Sequence, residues 1–161
     1  MHVVSNTSPI LNLAIVDQLT LLHQQFGQIL IPNAVLHELK FDEQRPGSQA
    51  IREAIVAGWI QIREVTNQPL SQLLKQTLDQ GESEAIALAI ELKANWLLID
   101  EREGRKVAKS LGLKVTGILG VLLRAKQAGE LDSLPAVIDQ LINQAGFRIS
   151  PDLLTQILNE S

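Results

Sequence analysis

Short apolar runs alternate with amphipathic segments along the whole chain. Runs with the composition of β-strands span 2–4, 28–31, 59–65, 96–99 and 113–116. The segments between them place apolar residues at helical spacing, as Ala85, Leu88, Ala89 and Leu92 do. Because strands alternate with helices and no internal repeat is present, the pattern predicts an α/β fold with a central, mainly parallel sheet. The strands are short, so we expect helix to dominate.

Polar residues and prolines mark where several helices should begin. Ser8 followed by Pro9 predicts one helix start, and Asn33 predicts another. Asp79 with Glu82 three residues later has the spacing of a capping box at the start of a third helix.

Acidic and amide side chains follow the predicted strands. The run 96–99 is apolar throughout, which is typical of a strand covered on both faces, and it ends at Asp100. Asn6 follows the first strand, so it should lie with Asp100 on the rim where an open parallel sheet gathers its ligands. Glu38 falls in the helix after the second strand, and Glu84 in the first turn of the helix that leads to 96–99. A cluster of carboxylates favours a hard cation, Mg²⁺ or Mn²⁺, over zinc.

Each of these acids also has an ordinary structural interpretation. Glu82 and Glu84 could complement a helix N-terminus, a contribution of ~0.3–1 kcal/mol each. Glu38 could be a surface helix residue, while Asp100 and Glu101 could be a cap and its solvated neighbour. The spacing of the acids alone leaves both interpretations open.

Composition narrows the class of protein. At 161 residues, with 45% hydrophobic and 20% charged residues, the chain can form one domain with a substantial core. The absence of Cys excludes disulfides and thiolate metal sites, and it fits a reducing cytoplasm. No basic-then-apolar leader opens the sequence, and no apolar run reaches membrane-spanning length. We therefore expect a cytoplasmic protein without membrane association.

Positive charge is concentrated in one part of an acidic chain. The net charge of −4 argues against nucleic-acid binding by the whole surface. Seven of the 14 Lys and Arg nevertheless lie between 102 and 126, namely Arg102, Arg105, Lys106, Lys109, Lys114, Arg124 and Lys126. Such a patch is compatible with a phosphate-bearing partner, although an ordinary solvated helix face explains any one of these residues equally well.

Several of these motifs together resemble the PIN-domain superfamily. They are VVSNTSPILNLA, IPNAVLHEL, the run from Gly81 to Leu131 and the final helix after Phe147-Arg148-Ile149-Ser150. The resemblance covers nearly the whole chain and is most specific at 81–130. It is strongest to a branch of PIN-like proteins, many of them described as toxins of toxin–antitoxin pairs. It implies a three-layer α/β/α fold with a parallel sheet of four or five strands. It also implies one domain over 1–161, with helices at about 133–161 appended.

The same resemblance implies cleavage of RNA phosphodiesters by an acidic cluster with Mg²⁺ or Mn²⁺. The catalytic and metal-binding positions of the family fall on Asn6, Glu38, Glu84 and Asp100. Accessory candidates near the same rim are Thr7, Ser8, Glu82, Glu101 and Glu103. Where the family has its first acid this chain has Asn6, whose amide oxygen can bind a hard cation but adds no negative charge. We therefore expect a single metal ion and an attenuated activity.

Three functions compete at this point. The first is a metal-dependent endoribonuclease, the toxin of a pair, which the resemblance links to an antitoxin protein and to a homodimer. The second is a catalytically silent module that binds RNA or protein through Arg102, Arg105, Lys106 and Lys109. The third, a phosphatase or signalling receiver, requires an Asp after the first strand, where Asn6 stands, and the chain has no Gly-rich phosphate loop.

Overall fold

A parallel β-sheet forms the centre of the computed structural model, which describes residues 1–40 and 44–160. In these ranges the sheet has five short strands, β1 (Val3–Ser5), β2 (Ile29–Ile31), β3 (Ile60–Ile62), β4 (Trp96–Leu98) and β5 (Val115–Thr116). Their order in the sheet is β3-β2-β1-β4-β5, and every neighbouring pair is parallel. The predicted mainly parallel sheet of four or five strands is confirmed.

Helices connect the strands and follow the last one. They are α1 (Thr7–Ile15), α2 (Thr20–Phe26), α3 (Asn33–Leu39), α4 (Ser48–Ala57), α5 (Gln68–Leu74), α6 (Gln80–Glu91), α7 (Arg102–Ser110), α8 (Ile118–Gln127), α9 (Leu134–Gln144) and α10 (Pro151–Glu160). Helix therefore dominates, as the short predicted strands imply. None of the described helices combines the length and the apolar character that crossing a bilayer requires.

The alternation of side chains along the strands divides the core into two layers. Val3 and Leu98 face one side of the sheet, where they join an apolar cluster with residues of α1, α2, α4, α8 and α9. Val4 and Leu97 face the other side, where they pack with residues of α5, α6 and α7. Successive strand residues point to opposite faces, so a strand covered on both sides must be apolar at every position. The three-layer α/β/α architecture expected from the resemblance is confirmed.

The order in which strands are added to the sheet reverses beside β1, although all the strands stay parallel. From β1 the chain passes to β2 and β3 on one side, and it then returns to β4 on the other side of β1. In open parallel sheets such a reversal opens a crevice at the carboxyl ends of the two strands that flank it. Asn6 follows β1 and Asp100 follows β4 after Ile99, so both lie at this crevice.

Several predicted boundaries were wrong, each for a local reason. Helix α1 begins at Thr7 with Asn6 as its N-cap, and not at Ser8, because the Asn6 N–H is held by the Leu98 carbonyl at 2.9 Å. In α3 the N-cap is Pro32, so Asn33 is already helical. The third strand is also shorter than predicted, since its pairing with β2 stops at the Ile31–Ile62 pair.

Candidate functional site

Asn6 and Asp100 bring two unsatisfied oxygens to the crevice. Asn6 is 5% exposed, and its Oδ1 is buried without a hydrogen-bond partner among the described residues. Asp100 accepts a hydrogen bond at Oδ1 from the backbone N–H of Ile118 at 2.9 Å, while its Oδ2 is likewise buried and unpartnered. Buried polar atoms are normally paired, and an unpaired one calls for an explanation such as an absent ion. Two acceptor oxygens of this kind fit a hard cation.

Glu38 stands on the opposite side of Asn6 from Asp100 along the rim. Its Oε2 accepts a hydrogen bond from the Thr7 hydroxyl at 2.7 Å, which ties the acid of α3 to the first residue of α1. The carboxylate lies against the backbone of Gly81, because a Cβ built there would fall 2.3 Å from Glu38 Oε1. Glycine at the start of α6 therefore makes room for the Glu38 carboxylate.

Glu82 is the acid of α6 that faces this rim. Only 7% of it is exposed, and a Cβ on Gly104 of α7 would lie 2.9 Å from Glu82 Oε2. Burial raises the pKa of Glu82 to about 8, with further increases from its hydrogen bond to Asp79 and from the negative charges of Asp79, Glu101 and Glu38. Repulsion from Glu38 and Glu101 shows that these three carboxylates occupy one neighbourhood.

Glu84 turns away from that neighbourhood. Its Oε1 accepts from the backbone N–H of Ala34 at 3.1 Å, and its Oε2 accepts from Gln80 at 3.2 Å. Ala34 lies in the first turn of α3, so Glu84 satisfies a donor that the helix itself leaves free. The assignment of Glu84 as a catalytic and metal-binding residue stays a prediction, and the contacts favour Glu82 for that position.

Asp100 is held between a helix N-terminus and an arginine. Burial raises its pKa to about 6, while the Ile118 N–H and the charge of Arg105 act in the opposite direction. Arg105 is itself fixed by a hydrogen bond from Nη1 to the Ile99 carbonyl at 2.9 Å. Gly117 also belongs to this arrangement, since a Cβ there would lie 2.4 Å from Asp100 Oδ1.

The four predicted RNA-binding residues line one depression beside Asp100. Its volume is about 450 Å³, and its lining consists of Asp100 and a basic set of α7, namely Arg102, Arg105, Lys106 and Lys109. We call it the basic groove. Arg102, Lys106 and Lys109 are exposed, whereas Arg105 is half-buried. The helical spacing of these residues puts them on one side of α7.

The remaining accessory candidates lie near the rim with fewer contacts. Glu101 is the exposed N-cap of α7 and Glu103 is an exposed residue of its first turn. Ser8 is half-buried in the first turn of α1. Within the described residues, no three acids, His or Cys already stand in a metal-binding arrangement.

The sequence interpretation missed three glycines that position the acids. Gly81, Gly104 and Gly117 each lie where a Cβ would meet Glu38, Glu82 or Asp100 within 3 Å. None of them has a positive φ, so close approach and not backbone conformation requires glycine. Gly81 directly precedes Glu82 and Gly104 directly follows Glu103 in the sequence, whereas Gly117 lies far along the chain from Asp100.

The raised pKa of Glu82 predicts that the metal-free protein becomes less stable as the pH rises. A carboxyl that binds its proton more tightly when folded stabilises the fold below its ordinary pKa of 4.5, and this stabilisation is lost as the pH passes about 8. After allowance for solvent screening we expect a loss of about 1–2 kcal/mol in the free energy of unfolding. Urea unfolding in EDTA between pH 4.5 and about 8 measures this loss of stability.

Glu82→Gln is the control for this pH dependence, because the amide cannot ionise. Asp100 changes charge in the same direction but near pH 6. The variant should therefore keep the decline below about pH 6 and lose the decline above it. An identical curve for both proteins above that pH would contradict the role given to Glu82.

A parallel five-stranded α/β/α fold with acids at its crevice is the arrangement found in PIN-like, nuclease-type domains. The family model DUF3368, described as a PIN domain, matches residues 2–161. The chain therefore belongs to the PIN-domain family, whose members are generally nucleases that use divalent metal ions.

The structure is also similar to a PilT N-terminus domain protein, SSO1118, from the hyperthermophilic archaeon Sulfolobus solfataricus P2. The two share 21% sequence identity with a TM-score of 0.56, and the match covers 83% of this chain and 96% of that chain. Similarity at this level of identity concerns the fold. A comparison with curated proteins finds no significant match.

Proposed function

We propose that this protein is a metal-dependent endoribonuclease of the PIN type. The observation that supports this most is the position of Asp100. Its carboxylate lies at the crevice, with an unpartnered Oδ2, and it also lines the basic groove. A phosphate held by the cations of α7 would thereby lie against the acids that act on it.

The residues that would hold Mg²⁺ or Mn²⁺ are Asp100, Asn6, Glu82 and Glu38. When bound, the cation would polarise a phosphoryl oxygen and activate water for attack on phosphorus. Asp100 and Asn6 would present Oδ2 and Oδ1, the two oxygens without a partner. Glu82, whose pKa is about 8, holds a proton at neutral pH and can release it to solvent when a cation approaches.

Other side chains orient these groups and the substrate. Thr7 donates to Glu38 and fixes one of its oxygens, so the remaining oxygen stays free to accept. Arg105 neutralises part of the Asp100 charge and lines the groove that a phosphate would enter. Lys106 and Lys109 are exposed in the same groove, and they would bind the neighbouring phosphates of a strand.

Cleavage of single-stranded RNA by the purified protein tests this proposal. We expect internal cuts with Mn²⁺ or Mg²⁺ and none after EDTA treatment, with activity restored when the metal is added back. Product analysis on denaturing gels measures this. Cutting that continues unchanged in EDTA would contradict a metal-dependent mechanism.

We further propose that the protein is the toxin of a toxin–antitoxin pair and acts in the cytoplasm as a homodimer. The sequence resemblance supports these roles. The antitoxin would be a protein that covers the acidic crevice, so its co-expression should relieve growth inhibition by the native chain. Inhibition that is equal for native protein and Asp100→Asn would argue against a nuclease toxin.

A second candidate function is RNA binding without cleavage. Two observations favour it: an amide replaces the first acid at Asn6, and the Arg105 guanidinium already provides Asp100 with a positive charge. In this case RNA binds through the basic groove but no metal-dependent product forms.

The basic groove predicts a salt dependence that both functions share. Each of Arg102→Gln, Lys106→Gln and Lys109→Gln should weaken RNA binding and reduce the logarithmic salt slope by ~0.7. Lys114→Gln is the matched control, because Lys114 is exposed but does not line the groove. Fluorescence anisotropy in EDTA measures both quantities. Equal effects from Lys114→Gln and the groove variants would rule out a specific role for this face of α7.

A further inference from the structure

A second cavity opens on the other side of Asp100 from the crevice acids. It has a volume of about 360 Å³, and its lining includes Asp100, Arg105, Thr116, Gly117, Phe147 and Arg148. We call it the C-terminal pocket, since Phe147, Arg148 and residues of α10 close it. Its size is at the low end of the range for small-molecule sites, ~300–1,000 Å³. It shares Asp100 and Arg105 with the basic groove, so the two depressions adjoin at these residues.

The chain holds this pocket open with backbone contacts and small residues. The Phe147 N–H donates to the Leu141 carbonyl of α9 at 2.9 Å, which fixes the segment that carries the ring. Ser150 accepts from the Leu153 N–H at 3.2 Å and so starts α10 directly after it. On the opposite wall, a Cβ at Gly120 would lie 2.6 Å from Thr116 Oγ1. The wall therefore depends on a glycine for its shape.

Phe147 is an aromatic side chain that shares a cavity lining with Asp100. Phe26 and Trp96 enclose the guanidinium of Arg124, each with its centroid 5.7 Å away. Trp59 stacks on the His23 ring at 4.9 Å. Phe147 instead lines a cavity together with Asp100, and it is half-buried there. The ring also packs against the apolar core, and together with apolar residues of α8 and α10 it forms an apolar wall of the pocket.

Two guanidinium groups complete the chemistry of the pocket. Arg105 is half-buried and fixed by Ile99, while Arg148 is exposed next to Phe147. A guanidinium binds phosphate in a planar, bidentate geometry, and an aromatic ring stacks on any nucleobase. An aromatic ring, two guanidinium groups and the candidate catalytic acid thus line one cavity.

We propose that the C-terminal pocket binds one unpaired nucleobase next to the phosphate that is cleaved. This rests on the proposed function for the role of Asp100. Phe147 stacks on the base, and Arg105 and Arg148 hold its phosphate groups. A base inside a duplex cannot enter, because both of its faces are already stacked. The pocket therefore predicts a preference for single-stranded over double-stranded RNA.

The test separates base binding from cleavage. Binding of a uridine or adenosine oligonucleotide to the full-length native protein is compared, in EDTA, with binding of an abasic sugar-phosphate oligomer of equal length. We expect about tenfold tighter binding of the base-bearing strands. In Phe147→Leu, which keeps an apolar side chain, this difference should fall to about twofold. Phe147→Trp, which keeps an aromatic ring at this position, should keep the tenfold difference.

Arg148→Gln is the matched variant for the phosphate contribution. It should weaken binding of base-bearing and abasic strands equally and lower the salt slope for both. Native protein that does not distinguish base-bearing from abasic strands overturns the proposal, as does an unchanged difference in Phe147→Leu. A protein-binding pocket gives the first of these results. A protein that fails to cut RNA but passes this test contradicts the nuclease function and leaves the base pocket in place.

Discussion

Glu82→Gln is expected to reduce metal-dependent RNA cleavage by at least ~100-fold, as Asp100→Asn should. Glu82 is buried against Gly104 and shares its surroundings with Glu38 and Glu101, which places its carboxylate with the other acids at the crevice. The amide keeps the shape of the side chain but removes the charge that a cation would neutralise. Initial cleavage rates at saturating Mn²⁺, together with calorimetric Mn²⁺ titration, measure the two consequences.

Glu84→Gln is the matched control, with the same change two residues further along α6. Because Glu84 accepts from the Ala34 N–H and from Gln80, its loss should affect α3 and not the chemistry. We expect a cleavage rate within about fivefold of the native value. The free energy of unfolding should fall by about 1 kcal/mol as the contact to α3 weakens.

The reverse pattern would restore the assignment made from sequence. If Glu84→Gln abolished cleavage while Glu82→Gln had little effect, Glu84 would be the third acid and the contact to Ala34 would break when metal binds. If both variants were inactive but bound Mn²⁺ like the native protein, neither carboxylate would be a metal ligand. Thermal unfolding of each variant in EDTA shows whether a loss of activity reflects a loss of fold.

The fold could be predicted because its signals are local. A strand such as β4 is apolar at every residue, since helices cover both faces of the sheet, and strands of this kind alternate with amphipathic helices. The positions of Asn6 and Asp100 on one rim followed from the same reasoning, because parallel strands end at the same edge. The helix start at Thr7 depended on a tertiary contact, the hydrogen bond from the Asn6 N–H to the Leu98 carbonyl, and was therefore missed.

The choice between Glu82 and Glu84 could not be made from the hydrophobic pattern. Residues two apart on a helix point ~200° away from each other, so only one of them can face the crevice. A helix with a single apolar stripe would show which one. In α6, however, burial extends over nearly the whole first turn and on through Ala85–Ala89, since α3, α5 and the sheet all pack against it. The stripe therefore carries no information about the polar face.

The glycines could not be interpreted from sequence for a different reason. Gly117 contacts the carboxylate of Asp100, which lies 17 positions earlier, and Gly81 contacts Glu38 on another helix. Such approaches join segments that the local pattern treats as independent. Gly104, three residues from Glu101, looks like an ordinary helix glycine until the structure places Glu82 against it.

Asn6→Asp should strengthen Mn²⁺ binding by at least ~10-fold and raise the cleavage rate, because it adds a charge to the crevice without changing its shape. Asn6 is 5% exposed and its Oδ1 has no partner, so the new carboxylate would already have one oxygen directed at the position of the ion. Calorimetric Mn²⁺ titration and cleavage assays compare Asn6→Asp with the native protein. Asn12→Asp makes the same change on α1, ~9 Å further along the helix, and should have neither effect.

Asn6→Asp should also destabilise the metal-free protein. Asp100 is half-buried at the same crevice as Asn6 with its pKa raised to about 6, and a second carboxylate would oppose its ionisation further. We therefore expect Asn6→Asp to unfold at lower urea than the native protein at pH 8 in EDTA, and to regain stability when Mn²⁺ is added. A variant that is equally stable with and without Mn²⁺ and remains inactive would show that the crevice does not bind metal. In that case Asn6 would mark a PIN domain that binds RNA without cutting it, and the basic groove would be its functional surface.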